Sequence, residues 1–472
     1  MTEKNKYISY LIESSVMIAI LNVFLAVYST KIRNPFWLVS LMYCVLLIIT
    51  SKNNQVYFAP GIFVLNVVMF VRYSFLIMAI YISGELSTHA NNYNYLNEAV
   101  FLMIYEQLFV FLTLYFTGKR EKHKIQHLKI KEEMILKQQG IKPVVCVVLI
   151  CSLTGILITN PYLIGGLSLI TKGEVSSSNI NNSASGVVGI IWQACLAWLY
   201  IYFCTLIKQR ADNKKGVILA VVISAIYILL TFIGQQSISR WYTIISFVAV
   251  YFILSKLYPN HKKIIMMCIV IPVVVLLVIV SVYKNTDYLS TNTSFSKSIL
   301  LLFDSKKLEA YFSGPVNVNN AIGLYIEHWG GISSLPIDVV NNMPIVNHWF
   351  DTSTATVNLY NRYIGRFWNG SGDQIIPLVG QSIIYFSALF APLLSCVAVI
   401  IVRISDRKYI QAESLDVYVF AFLGAWSAAA QILNMTIYLS WIYIRILPLL
   451  LLTAMIEVIS TGKIRIKRRK RI

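Results

Sequence analysis

The chain has 472 residues, 57% of them hydrophobic and 13% charged, and its 40 Lys and Arg against 21 Asp and Glu give a formal net charge of +19. That balance excludes a disordered segment and an ordinary soluble enzyme, because most of the apolar residues fall into helix-length blocks divided by short basic or polar stretches. The charge calls for no nucleic acid: cytoplasmic loops rich in Lys and Arg, lying against anionic membrane lipids, account for it.

Taken in chain order, membrane spans are predicted at 7–29, 35–50, 57–82, 95–117, 143–159, 186–207, 216–234, 241–257, 264–282, 375–402, 415–433 and 437–459, about twelve in all. Runs such as 264–283 are apolar on every face, whereas a barrel strand would alternate, so the expected fold class is an all-α polytopic helical bundle. The first block runs on as a span rather than as a cleavable signal. With the N-terminus inside, the basic stretches 119–142, 208–215, 256–263, 403–408 and the tail 460–472 all face the cytoplasm. Both termini are then cytoplasmic and the long polar stretch 283–374 is external. The expected organisation is a bundle of about nine spans over 1–282, an external loop over 283–374, C-terminal spans over 375–459 and the basic tail.

The seven cysteines, Cys44, Cys146, Cys151, Cys195, Cys204, Cys268 and Cys396, all fall inside predicted spans, where Cys acts as a small hydrophobe, and none has the spacing of a zinc site. A phosphate-cradling GxxxxGK[ST], an HExxH pair and a GxSxG elbow are all missing from the sequence. Two classes remain: a membrane-embedded enzyme acting on an outer-leaflet substrate, or a secondary transporter.

Charges within spans are costly and mark either locks or sites. Arg72 and Glu106 both sit roughly 15 Å below the external surface at 1.5 Å per residue, which makes them a candidate ion pair. Arg445, about 12 Å down its span, has no sequence-near partner and is the better candidate for an anionic substrate. Arg240 ends the short external turn Gly234 to Arg240, where positive charge works against the inside bias. Its planar fork of donors suits a lipid diphosphate, and snorkelling to headgroups is the plainer alternative. In the external loop, helices are predicted at 298–312 and 316–329, lying on the membrane surface as a lid or groove wall. They carry Lys306, Lys307, Glu309, Tyr311, Glu327 and His328, with Arg362 and Arg366 following. Such a set suits a phosphate-bearing, sugar-like ligand, and it also suits an ordinary solvated helix face.

Three stretches then carry a resemblance. Arg240 in a short turn after an apolar span is similar to the Gly-Ser-Arg element of the O-antigen and capsule repeat-unit polymerases (Wzy-type). Tyr311 to Pro315 resembles their Tyr-x-x-Gly-Pro stretch in the large external loop, and 363–392 resembles their loop-to-span passage. The likeness covers roughly 220–400, beyond which only the spans correspond. It implies a polymerase of the bacterial inner (cell) membrane that joins undecaprenyl-diphosphate-linked oligosaccharide repeat units at the outer face, with a chain-length regulator protein as a candidate partner and no metal or cofactor. It further implies Arg240, Glu309, Glu327 and His328 as candidate catalytic residues, Arg240 on the diphosphate and the other three as candidate bases. Arg362, Arg366, Arg445 and Tyr311 are the candidate substrate-binding residues. A polysaccharide flippase and a glycan ligase of similar architecture are the alternatives; the flippase would not need so large an external loop.

Overall fold

A computed structural model describes residues 3–53, 59–125, 143–161, 163–164, 183–211, 213–233, 240–285, 304–341, 343, 346–365, 374–412 and 415–461. Among them there is no strand, and the chain is all-helical. Seven helices are long and apolar enough to cross a membrane: Tyr7–Tyr28, Pro60–Ser83, Leu96–Gly118, Gly186–Arg210, Ala388–Gln411, Leu415–Ile432 and Met435–Val458. Their number makes this a membrane protein. An eighth span arises if the pair Trp241–Leu257 and Pro259–Val275, bent by 118°, counts as one.

The expected twelve therefore divide differently. Trp37–Ser51 and Val144–Thr159 are apolar but short, and the helix of the seventh block, Lys214–Leu230, has only 17 residues. The block 375–402 is not one helix. Leu378–Phe386 stops at Ser387, whose φ of 75° lies in the left-handed region, and the long helix resumes beyond it. The stretch 403–408, expected in an inner loop, continues the helix Leu393–Gln411 with Arg403 and Asp406 buried. Asp406 spends its charge on a helix end: its two oxygens accept from the Gly61 and Ile62 amides at 2.8 and 2.7 Å, the first turn of Pro60–Ser83. A carboxylate there satisfies otherwise orphaned donors and meets the positive end of the helix dipole.

The chain forms two compact units, one of Met1–Ile130, Asn292–Gln411 and Phe420–Ser440, the other of Lys131–Thr291, Ala412–Val419 and Trp441–Ile472. Of the stretch 283–374, the described residues from 304 on belong to the first unit and do not stand apart as a domain. Its helices also depart from expectation. The first is described as Ser305–Phe312, while 298–303 lie outside the described residues. The second, Pro315–Ile326, is no surface helix, since every residue from Pro315 to Leu324 is buried. Asparagines explain how a helix so polar can be enclosed. Asn319 bonds the Asn92 carbonyl and the Tyr95 amide, and Asn320 bonds the His89 carbonyl and the Asn91 amide, so both side chains satisfy the backbone of the connection between Ser83 and Leu96.

Candidate functional site

In the first unit the polar chemistry begins with Arg72, which lies in a π-helical turn, Val71–Phe75, in the middle of its span. Such turns swing a side chain out of helical register and are frequent at functional positions. Arg72 Nη2 stands 3.0 Å from Glu106 Oε2, with both side chains fully buried. Tyr73 Oη donates to Glu106 Oε2 at 2.9 Å and Ser395 Oγ to Oε1 at 2.6 Å. Arg72 Nη1 donates to the Gln431 carbonyl at 2.7 Å and Nε to that of Ser313 at 3.2 Å. The expected pairing is present, and every charge in it is answered. Such a knot locks helices together and leaves no charge over for a ligand.

The same arginine fixes the turn that carries the Tyr-x-x-Gly-Pro resemblance. Ser313 adopts the left-handed conformation at φ 50°, gives its carbonyl to Arg72 and donates its hydroxyl to the Ile432 carbonyl at 2.8 Å. A Cβ on Gly314 would stand 2.5 Å from Glu309 Cγ and 2.9 Å from Leu76 Cδ2, so only glycine fits. Glu309 itself is completely buried, and its oxygens accept from the Ser87 amide at 2.8 Å and the Val316 amide at 2.7 Å. It clamps the turn to the connection between Ser83 and Leu96, with both of its oxygens engaged.

Burial pushes the Glu309 carboxyl up from 4.5 to about 7, against the lowering effect of the two amides. A carboxyl with a raised folded pKa stabilises the fold only while protonated. Its contribution is full below about 4.5 and is lost as the pH rises through about 7. Thermal unfolding of the purified protein should show stability falling across that window, by an amount on the order of 3 kcal/mol. Glu309→Gln should flatten the fall; an unchanged slope in that variant would assign it to other groups.

The remaining candidates of this unit are dispersed. Tyr311 is half-buried on Ser305–Phe312; Glu327 and His328 are exposed just past Ile326, His328 with a φ of 57°. Arg362 is exposed and donates to the Ser353 carbonyl, while Arg366 lies outside the described residues. What does converge is a group that sequence reasoning missed. Asp338, fully buried, accepts from the amide and hydroxyl of Thr356, from Tyr385 Oη and from Thr436 Oγ1 at 3.3 Å. Gln381 Nε2 bonds Thr356 Oγ1 and Tyr385 Oη at 3.1 and 3.2 Å. Burial raises the Asp338 carboxyl and the hydrogen bonds lower it. Its partners lie 18, 47 and 98 residues away in sequence, so no motif could have shown the cluster.

The second unit holds the opposite electrostatic case. Arg445 also sits in a π-helical turn, Ile442–Ile446, and is only 6% exposed. Its guanidinium lies 4.4 Å from the Tyr242 ring centre and 5.4 Å from that of Trp441, two rings stacked on each other at 4.3 Å. Nη1 donates to Gln193 Oε1, whose amide nitrogen donates to the Thr231 and Ile233 carbonyls at 2.8 and 3.1 Å. Among the described residues no carboxylate pairs with Arg445, and its buried Nε has no hydrogen-bond partner. Aromatic faces attract the cation without neutralising it. An enclosed, rigidly held guanidinium with a spare donor is suited to an anion. The backbone of Arg240 opens the helix Arg240–Leu257, two residues before Tyr242; its side chain lies outside the described residues. Gln193 was overlooked because only charges within spans were weighed, although an amide in so apolar a block is itself a signal.

No protein-family model, curated protein or solved structure matches this chain.

Proposed function

We propose that this chain is a polysaccharide polymerase of the bacterial cell membrane, joining undecaprenyl-diphosphate-linked oligosaccharide repeat units at the outer face, with both termini in the cytoplasm. In this reading Trp37–Ser51, Val144–Thr159, Lys214–Leu230 and each half of the bent pair also cross, which brings the spans to about twelve. The observation that carries it is Arg445, a buried cation that no carboxylate among the described residues pairs, held against the stacked rings of Trp441 and of Tyr242, on the helix that Arg240 begins.

The reaction breaks the bond between the anomeric carbon of the growing chain and its lipid diphosphate. A glycosidic bond forms to a hydroxyl of the next lipid-linked unit; the diphosphate leaves with the electron pair and the hydroxyl proton passes to a base. Arg445 and Arg240 neutralise the departing diphosphate, where preorganised positive charge lowers the barrier most. Of the three candidate bases, Glu327 and His328 are the exposed ones.

The test is a strain lacking this gene, in which surface-glycan length and the sidedness of lipid-linked intermediates are measured. Single repeat units facing outward are expected. Single units held at the cytoplasmic face would make the protein a flippase instead, and normal polymer would refute both.

A further inference from the structure

Between the helices Pro143–Thr159, Ser183–Arg210 and Lys214–Leu230 of the second unit runs a groove of about 420 Å³. Its wall is hydrocarbon, including Leu153, Leu157, Leu196, Leu199 and Ile223. The few polar atoms of the lining are all answered within the protein. Thr154 Oγ1 bonds the Ile150 carbonyl at 2.9 Å and Trp192 Nε1 the Leu230 carbonyl at 3.1 Å. Tyr200 Oη pairs with Ser224 Oγ at 3.1 Å and Tyr227 Oη with Tyr418 Oη at 2.6 Å. A cavity whose polar groups are already satisfied offers a ligand nothing but apolar contact. Along the middle helix it extends from Trp192 to Phe203, about 16 Å at the helical rise per residue. Its rim residues Ile150 and Ile226 are exposed, so the groove opens sideways.

One end of the groove lies one residue from the side chain that holds Arg445. Trp192 and Leu230 line it there, and the next residue, Gln193, holds both Arg445 and the carbonyls that follow Leu230. An apolar groove with an enclosed cation held one residue past its end suits a lipid with a hydrocarbon chain and an anionic head. A two-chain phospholipid would leave one chain outside.

Resting on the polymerase reading, we infer that this groove seats the first few isoprene units, next to the head group, of the lipid-linked substrate's polyprenyl chain, with its diphosphate at Arg445. The occupant is thereby one lipid, and its tail and head are read by neighbouring parts of one unit.

The full-length protein in phosphatidylcholine nanodiscs would be labelled with a polyprenyl diphosphate bearing a diazirine on its chain, and the adducts mapped by mass spectrometry. Adducts are expected on the three groove helices, displaced by undecaprenyl diphosphate and not by phosphatidylglycerol. Ile150→Trp and Ile226→Trp, both at exposed rim positions that tolerate bulk, should weaken binding of undecaprenyl diphosphate at least tenfold and leave thermal stability unchanged. Adducts elsewhere, equal displacement by phosphatidylglycerol, or rim variants that bind normally would overturn the inference. The two readings fail separately. Groove labelling with normal polymer in the deletion strain would sink the polymerase and keep the groove; lost polymer without groove labelling would do the reverse.

Discussion

Arg445→Met should abolish chain growth, by roughly 10²-fold or more, while leaving the melting temperature unchanged or higher. The two halves of that expectation share one cause. A buried cation that no carboxylate among the described residues pairs costs the folded protein desolvation energy that contact with Tyr242 and Trp441 only partly offsets. Methionine keeps much of the volume and removes the charge, so the fold is relieved just as the anion site is lost. Arg445→Lys keeps the charge but loses the planar stack and the fork that reaches Gln193, and it should also be impaired. Repeat-unit polymerisation in membranes, read beside thermal unfolding in detergent, decides the matter. A methionine variant that unfolds would make Arg445 a structural residue; one that polymerises normally would move the diphosphate site elsewhere.

The other intramembrane arginine should behave in the opposite way. Glu106→Ala strands Arg72 without its counter-charge in a fully buried place, at a cost of about 3–5 kcal/mol. Arg72→Met strands Glu106 and also strips the carbonyls of Ser313 and Gln431 of their donor. Combining Arg72→Met with Glu106→Leu removes both charges, and the double variant should melt higher than either single one. Strictly additive losses would show that the pair matters less than the hydrogen bonds around it. The contrast between the two arginines is the strongest physical reason for placing ligand binding in one and architecture in the other.

How much of this was legible beforehand depends on the range over which each feature acts. The ion pair of Arg72 and Glu106 was readable because the depth of a charge follows from helical rise alone, and adjacent spans bring equal depths together. The Ser313-Gly314-Pro315 stop was readable because turn chemistry is local, and the helix does end at Phe312. Its purpose was not, since the turn is held by Leu76 and Arg72 from another part of the chain as well as by the preceding Glu309. Glu309 stood in the sequence as a candidate base, in a set of charges that suited a solvated helix face equally well. Only packing shows that its oxygens meet the amides of Ser87 and Val316.

The sequence by itself determined that this protein is helical and belongs in a membrane, because hydrophobic runs and their period are properties of neighbouring residues. It also determined which charges had to be explained. Tertiary structure decided where helices break, at Ser387 and at the 118° bend after Leu257, and that Pro315–Ile326 is enclosed rather than laid on the surface. It alone decided that the other donors of Arg72 are taken up by the Ser313 and Gln431 carbonyls, and that among the described residues Arg445 meets Gln193 and two rings but no carboxylate. Those partners come from hundreds of residues away or, for the rings, from a helix far earlier in the chain, and no local pattern encodes such meetings.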